Sequence, residues 1–81
     1  MRGDEGMTPT EAREILTRWY QTPDPYAGRE QDCTERGFYE RAAKGFDQLS
    51  RGVLADSQDR AAAAHSALLA EACRVMAGVA K

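Results

Sequence analysis

Residues that carry catalytic chemistry are scarce in this chain. It has one histidine, His65, and two cysteines, Cys33 and Cys73, which stand far apart and form no C-x-x-C motif. A general base needs a nucleophile and an orienting acid close by, but the neighbouring Ser66 points about 100° away around a helix. A zinc site would have to use these three groups without short ligand spacing. We therefore expect no enzyme, no catalytic residue, no cofactor and no metal site.

The chain also lacks a long apolar run and a strong charge of either sign. Residues 61–80 form the most apolar window, yet Glu71 and Arg74 near its centre would each cost about 2.5–3.5 kcal/mol to insert into a bilayer. The net charge of −2 and the isoelectric point near 5.3 give no attraction to nucleic acid or anionic membranes. Residues 1–6 have no apolar signal-peptide segment. These absences predict a cytoplasmic protein without a membrane partner or an evident small-molecule substrate.

The composition is that of a folded protein, with 42% hydrophobic and 30% charged residues. A chain of 81 residues is one domain, and such a chain buries only roughly 60% of the surface that its unfolded form exposes. A second copy or a partner often completes so small a core. We expect residues 1–7 to form a flexible extension and residues 8–81 a single helical domain. Arg outnumbers Lys nine to two and Ala occurs fourteen times, which is typical of a GC-rich bacterial or phage gene.

The start of the first helix is marked by Thr8-Pro9-Thr10-Glu11. Thr8 can cap the helix, Pro9 suits the first helical position, and Glu11 completes a capping box. The helix should end before Thr22-Pro23, because a residue that precedes proline is pushed out of helical geometry. The apolar side chains recur at helical spacing and predict one buried stripe; they are Ala12, Ile15, Leu16, Trp19 and Tyr20.

The second predicted helix begins at Asp32, with Glu35 as its capping-box partner, and ends near Arg51. Asp24-Pro25 is an alternative start for an extra turn before it. Gly52 stands where a left-handed helix stop belongs. The predicted apolar stripe has Tyr39 at its edge, and its other members are Phe38, Ala42, Gly45, Phe46 and Leu49. Gly45 is expected to face the Ala61–Ala64 block, where small residues allow two helices to approach closely.

The third predicted helix runs from Asp56 to about Ala80, and its apolar surface covers well over half of its circumference. In its second half only Ser66, Glu71, Arg74 and Gly78 clearly face water. Together the three segments predict an all-α fold, a three-helix up-down bundle with a short first helix and a long helix 2–helix 3 hairpin. In that hairpin Cys73 lies within a turn of Cys33. Two unpaired thiols are the expectation, with a disulfide as the alternative.

The wide apolar surface of the third helix carries the functional prediction. The first helix is about half as long, so one chain should leave part of the third helix uncovered. We therefore predict a non-catalytic protein–protein interaction module, a bacterial or phage regulator or inhibitor that binds a protein partner or a second copy of itself. Tyr and Trp dominate interface hot spots. The predicted partner-binding residues are Trp19, Tyr20, Tyr26, Leu69 and Met76.

A small DNA-binding transcriptional regulator is the alternative function. The second helix carries a row of basic residues that a nucleic-acid reader would place on phosphates; they are Arg36, Arg41, Lys44 and Arg51. Acid-first pairs such as Asp32/Arg36, Glu40/Lys44 and Asp47/Arg51 stand at the favourable four-residue spacing. A solvated, paired helix face explains the row better than DNA binding, and the acidic net charge agrees with it.

Overall fold

Three α-helices and the loops between them make up the described part of the chain. The computed structural model describes residues 6–52 and 60–80. Helix α1 is Pro9–Tyr20, α2 is Glu35–Arg51 and α3 is Arg60–Val79, and no strand occurs in either described range. The all-α prediction is confirmed. Asp56, predicted to begin α3, lies outside the described residues, as do residues 1–5.

Both ends of α1 are held by local hydrogen bonds. The backbone N–H of Glu11 donates to Thr8 Oγ1 at 3.1 Å, and the Thr8 N–H donates to Glu11 Oε1 at 3.0 Å. The predicted capping box is therefore confirmed. The helix ends at Tyr20, before Thr22-Pro23 as predicted, but Gln21 makes the stop itself. Its φ of 59° is left-handed, and its N–H donates to the Thr17 carbonyl.

The N-cap of helix α2 lies two residues later than predicted. Thr34, not Asp32, is the N-cap, and its hydroxyl accepts from the Gly37 N–H at 3.0 Å. The predicted start is wrong because Asp32 and Cys33 belong to a preceding turn, in which both of their N–H groups donate to the Arg29 carbonyl. The end at Arg51 is confirmed. Gly52 follows it as the cap, but with φ −108° and ψ −94° it is not left-handed.

Helix α3 packs against both other helices, whereas the backbones of α1 and α2 do not approach each other. Gly37, near the beginning of α2, lines the same groove as Ala77 and Gly78, near the end of α3. Helices α2 and α3 are therefore antiparallel. Aromatic side chains fill the space between α1 and α2. The overall dimensions, 37 × 36 × 19 Å, are those of helices arranged in a layer.

The core is built around α3. It includes Tyr39, which the sequence pattern placed at the edge of the apolar stripe of α2. Leu16, Leu69 and Cys73 are its largest fully enclosed side chains. On α2 the buried residues are Tyr39, 2% exposed, and Ala43. The predicted α2 stripe is thus rotated, because Phe38, Ala42 and Phe46 only flank the core. Two further predictions are wrong: Leu49 is 42% exposed, and Ser66, expected in water, is 7% exposed.

Gly45 does not lie at a close contact between α2 and α3, contrary to what the sequence predicted. It lies on the exposed side of α2, and a Cβ built on it would meet no atom within 4 Å. The rotation of the buried stripe toward Tyr39 and Ala43 explains this outcome. Gly45 therefore has the entropic cost of glycine in a helix without a packing benefit.

We expect Gly45→Ala to stabilise the chain by about 0.5–1 kcal/mol, because alanine is the better helix former and has open space here. Urea unfolding followed by circular dichroism measures the change. Gly37→Ala is the matched control, since its Cβ would come within 3.0 Å of the Thr34 hydroxyl that caps the helix. It should gain less than Gly45→Ala. Destabilisation by Gly45→Ala would contradict the exposed position of this residue.

The loop between α1 and α2 is folded on itself. The Tyr26 N–H donates to the Asp24 side chain at 3.1 Å, and the Tyr26 hydroxyl donates to the Cys33 carbonyl at 2.6 Å. Gly28 has a φ of 87°, a conformation that favours glycine. Pro25 is buried. The loop therefore has a defined path that fixes the ring of Tyr26.

Candidate functional site

The tryptophan lies where all three helices meet. The Trp19 ring is 5.9 Å from the Phe46 ring, edge to face, and 5.6 Å from the His65 ring, measured between centroids. Trp19 is nevertheless 49% exposed. Leu49 stands one turn beyond Phe46 on α2, and Leu68 stands one turn beyond His65 on α3. We call the surface formed by Trp19, Phe46, Leu49, His65 and Leu68 the aromatic patch.

Helix geometry explains why Trp19 reaches this position. Its neighbour Leu16 is 1% exposed and anchors α1 on the core, and Trp19 follows it by three residues on an adjacent strip of the same helix. Its ring therefore leaves the core and lies over the first half of α3. Leu49 and Leu68 are 42% and 40% exposed. The patch thus presents large apolar side chains on a framework that three helices hold in place.

The two predicted tyrosines form a separate cluster around Phe38. The Tyr20 and Tyr26 rings lie 6.3 Å and 5.9 Å from the Phe38 ring, and the Arg29 guanidinium lies 5.4 Å from the centre of the same ring. Tyr20 and Tyr26 are both half-buried. The Tyr26 hydroxyl is already used within the loop. Trp19, Tyr20 and Tyr26 therefore do not make one surface, although all three keep part of their area in solvent.

Leu69 and Met76 lie in the core, not on the open side of α3. They are 1% and 3% exposed, so in the single chain neither side chain has surface to offer a partner. Leu68 and Val79 are the most exposed large apolar residues of α3, at 40% and 51%. Helices α1 and α2 therefore cover most of the apolar surface of α3, and Leu68, which they leave exposed, stands about 100° around the helix from Leu69.

Burial changes the titration of two core side chains. Desolvation, with nearby charges adding to it, raises the pKa of Tyr39 to about 12. Burial also raises the pKa of the Cys73 thiol to about 11, against a small lowering by Arg74. Cys73 and Cys33 are both unpaired thiols, so the expectation of two free cysteines is confirmed. A thiol protonated at neutral pH and enclosed in the core is a poor nucleophile.

A second surface feature is a groove of about 790 Å³ between α2 and α3. Four small residues line it, and we call them its floor; they are Gly37, Ala43, Ala77 and Gly78. Its walls carry charges of both signs. We call it the basic groove, because the cations on its walls outnumber the anions; the charged residues are Arg36, Glu40, Arg41, Lys44, Asp47 and Arg74.

The ion pairs of α2 differ in part from the predicted ones. Asp47 pairs with Arg51 at 3.3 Å, as the spacing predicted. Arg36 pairs with Glu40 at 3.1 Å and not with Asp32, because Asp32 precedes the helix. Across residues 6–52 and 60–80, Arg41, Lys44 and Arg74 have no carboxylate within the 4.0 Å of an ion pair. The row of basic residues that the sequence showed on α2 does not include Arg74, because only the fold brings Arg74 beside α2.

The part of the chain that the structure describes contains no cluster of three or more His, Cys, Asp and Glu side chains arranged to hold a metal ion. None of its three helices is long and apolar enough to span a bilayer. The surfaces that stand out are therefore the aromatic patch and the basic groove. Comparison with known proteins finds no family model, no curated protein and no solved structure that matches this chain.

Proposed function

We propose that the chain is a non-catalytic helical module that binds a protein partner through the aromatic patch. The observation that carries this proposal is the half-exposed ring of Trp19, which Phe46 and His65 hold in place. A large ring that is already ordered loses little entropy on binding, and tryptophan is enriched among residues that dominate binding energy. Leu49 and Leu68, which follow Phe46 and His65 by three residues, add exposed apolar area on α2 and α3.

Self-association is the simplest form of this function. A patch at the meeting point of three helices can face its own copy across a two-fold axis, and a second copy would also cover apolar area that this short chain leaves in water. The prediction of a regulator or inhibitor from the bacterial or phage cytoplasm rests on composition and stays a prediction. The up-down order of all three helices also stays a prediction. The adjacent Trp19 and Tyr20 contact Phe46 and Phe38, which lie about 12 Å apart along α2, so these contacts do not give the direction of α1 relative to α2.

Sedimentation of the purified full chain over a concentration series tests the proposal. We expect a reversible dimer, and we expect Trp19→Ser to weaken it by at least about 10-fold, since hot-spot truncations cost about 2 kcal/mol or more. Val79→Ser is the matched control, because Val79 is equally exposed but lies at the far end of α3. Its dimer should be within about 2-fold of the wild type.

If the wild-type chain stays monomeric, the same variants are compared in capture from an extract of the native host. A protein retained by the wild type and Val79→Ser but not by Trp19→Ser supports the aromatic patch as the binding surface. Equal retention by all three would contradict it. Circular dichroism must show that Trp19→Ser keeps its helix content, so that a lost contact is not confused with unfolding.

DNA binding through α2 remains the alternative function. It is the weaker proposal, because Glu40 and Asp47 line the same groove as the basic residues and hold Arg36 and Arg51 in ion pairs. Phosphates would have to displace or approach these carboxylates. A mobility-shift assay over a salt series separates the two functions, since affinity that depends on phosphates falls steeply as salt rises.

A further inference from the structure

The basic groove is a second surface, separate from the aromatic patch, and three of its cations form no ion pair with any residue that the structure describes. Arg41 and Lys44 project from α2 and Arg74 from α3, so two antiparallel helices place positive charge along both walls. None of the three has a carboxylate within 4.0 Å in the described ranges. This concentration of unpaired positive charge occurs in a chain whose net charge is −2. A negatively charged ligand is therefore attracted to the groove, although the net charge of the chain is itself negative.

The floor of the groove limits the shape of that occupant. Gly37, Ala43, Ala77 and Gly78 present little beyond backbone, and a Cβ on Gly78 would meet no atom within 4 Å. The groove extends along α2 from Arg36 to Asp47, which is about 16 Å or three helical turns. A floor of small residues between two helices lets the backbone of a third helix approach closely. Duplex DNA is too wide to reach such a floor.

We propose that the basic groove binds an acidic amphipathic helix of a partner protein. The apolar face of the helix packs on the small residues of the floor, and its flanking Asp or Glu side chains pair with Arg41, Lys44 and Arg74. Glu40 and Asp47 on the same walls repel acids that are out of register, so the occupant must present its acids at matching positions. The site does not depend on the proposed role of Trp19.

A synthetic helical peptide with alanine on one face and glutamate on both flanks is the probe. Its affinity for the full chain is measured by fluorescence anisotropy, and backbone amide shifts of the isotope-labelled chain locate the site. We expect shifts along both walls of the groove, and we expect the double variant Arg41→Glu, Arg74→Glu to weaken binding by at least about 10-fold. The double variant Arg13→Glu, Arg18→Glu is the control of equal charge change on α1, and it should stay within about 2-fold.

Gly78→Phe tests the shape of the site without changing its charge. A phenylalanine ring fills the open space on the floor, so a seated helix should be expelled and its affinity lost by at least about 10-fold. If Gly78→Phe leaves the affinity for the peptide unchanged, the proposal is wrong, because only binding that does not use the floor of the groove would tolerate the added ring. Equal losses in both charge-reversal variants, or shifts at the groove with a short DNA duplex but not with the peptide, would overturn it too. Trp19→Ser should bind the peptide like the wild type, which keeps this test separate from that of the proposed function.

Discussion

Leu69→Ala is expected to destabilise the chain by about 2–5 kcal/mol, the usual cost of truncating an enclosed leucine. Leu69 is 1% exposed in the centre of the core, among Leu16, Cys73 and Met76. The loss combines the transfer of apolar atoms with the cavity that remains. A chain of this size has a total stability of roughly 4–12 kcal/mol. The substitution therefore removes a large share of it, and urea unfolding followed by circular dichroism measures the change.

The adjacent Leu68 is the matched control. It is the same residue type in the same helix, but it is 40% exposed, so Leu68→Ala should cost less than about 1 kcal/mol. Similar losses from the two truncations would mean that both leucines are equally enclosed, and Leu68 would then be unavailable to the aromatic patch. A small loss at Leu69 would contradict the position of α3 in the centre of the fold.

Local signals in the sequence were sufficient for the parts of the fold that depend on neighbouring residues. The Thr8–Glu11 capping box forms within one turn of helix, so four consecutive residues contain all the information needed. Pro23 also predicted that α1 ends before Thr22, although the stop itself is the left-handed Gln21, which no signal in the sequence marks. The start of α2 was harder to predict, since Asp32 and Thr34 are both good caps and the hydrogen bonds of the preceding loop decide between them.

The rotation of α2 and α3 about their axes could not be predicted in the same way. On α2, Phe38 and Tyr39 are adjacent aromatic residues, and either could have faced the core. The structure buries Tyr39 and leaves Phe38 to pack against Tyr20, Tyr26 and Arg29. On α3, apolar residues cover so much of the circumference that periodicity alone did not distinguish Leu68 from Leu69. Tertiary packing makes that choice.

The basic groove shows the same limit for a functional surface. Four cations on α2 form a conspicuous row in the sequence, but two of them are paired with acids of the same helix. The unpaired set contains Arg74, which stands 33 residues after Arg41 and 30 after Lys44 in the sequence and reaches the row only because α2 and α3 are antiparallel. A pattern along one helix can therefore predict its own ion pairs but not the charge of a groove that two helices share.

The two cysteines should differ in reactivity toward a disulfide reagent by at least about 100-fold near pH 8. Cys33 is only partly buried, so the reagent reaches its sulfur directly. Cys73 is 0% exposed, and burial raises the pKa of its thiol to about 11. Its reaction requires both an opening of the core and loss of a proton. The release of thiolate from Ellman's reagent should show one fast thiol per native chain and two in denaturant, and Cys33→Ser should remove only the fast phase.

The raised pKa of Cys73 also predicts how stability depends on pH. The folded chain holds the thiol proton up to about pH 11, whereas an unfolded chain releases it near the ordinary value of 9.0. The contribution of the protonated thiol is therefore complete below pH 9 and is lost as the pH rises from 9 toward 11. Over that interval Cys73→Ala should lose less stability than the wild type, because it has no thiol to ionise. Parallel stability curves for the two proteins, or two equally fast thiols at pH 8, would show that Cys73 is not enclosed by α1 and α2.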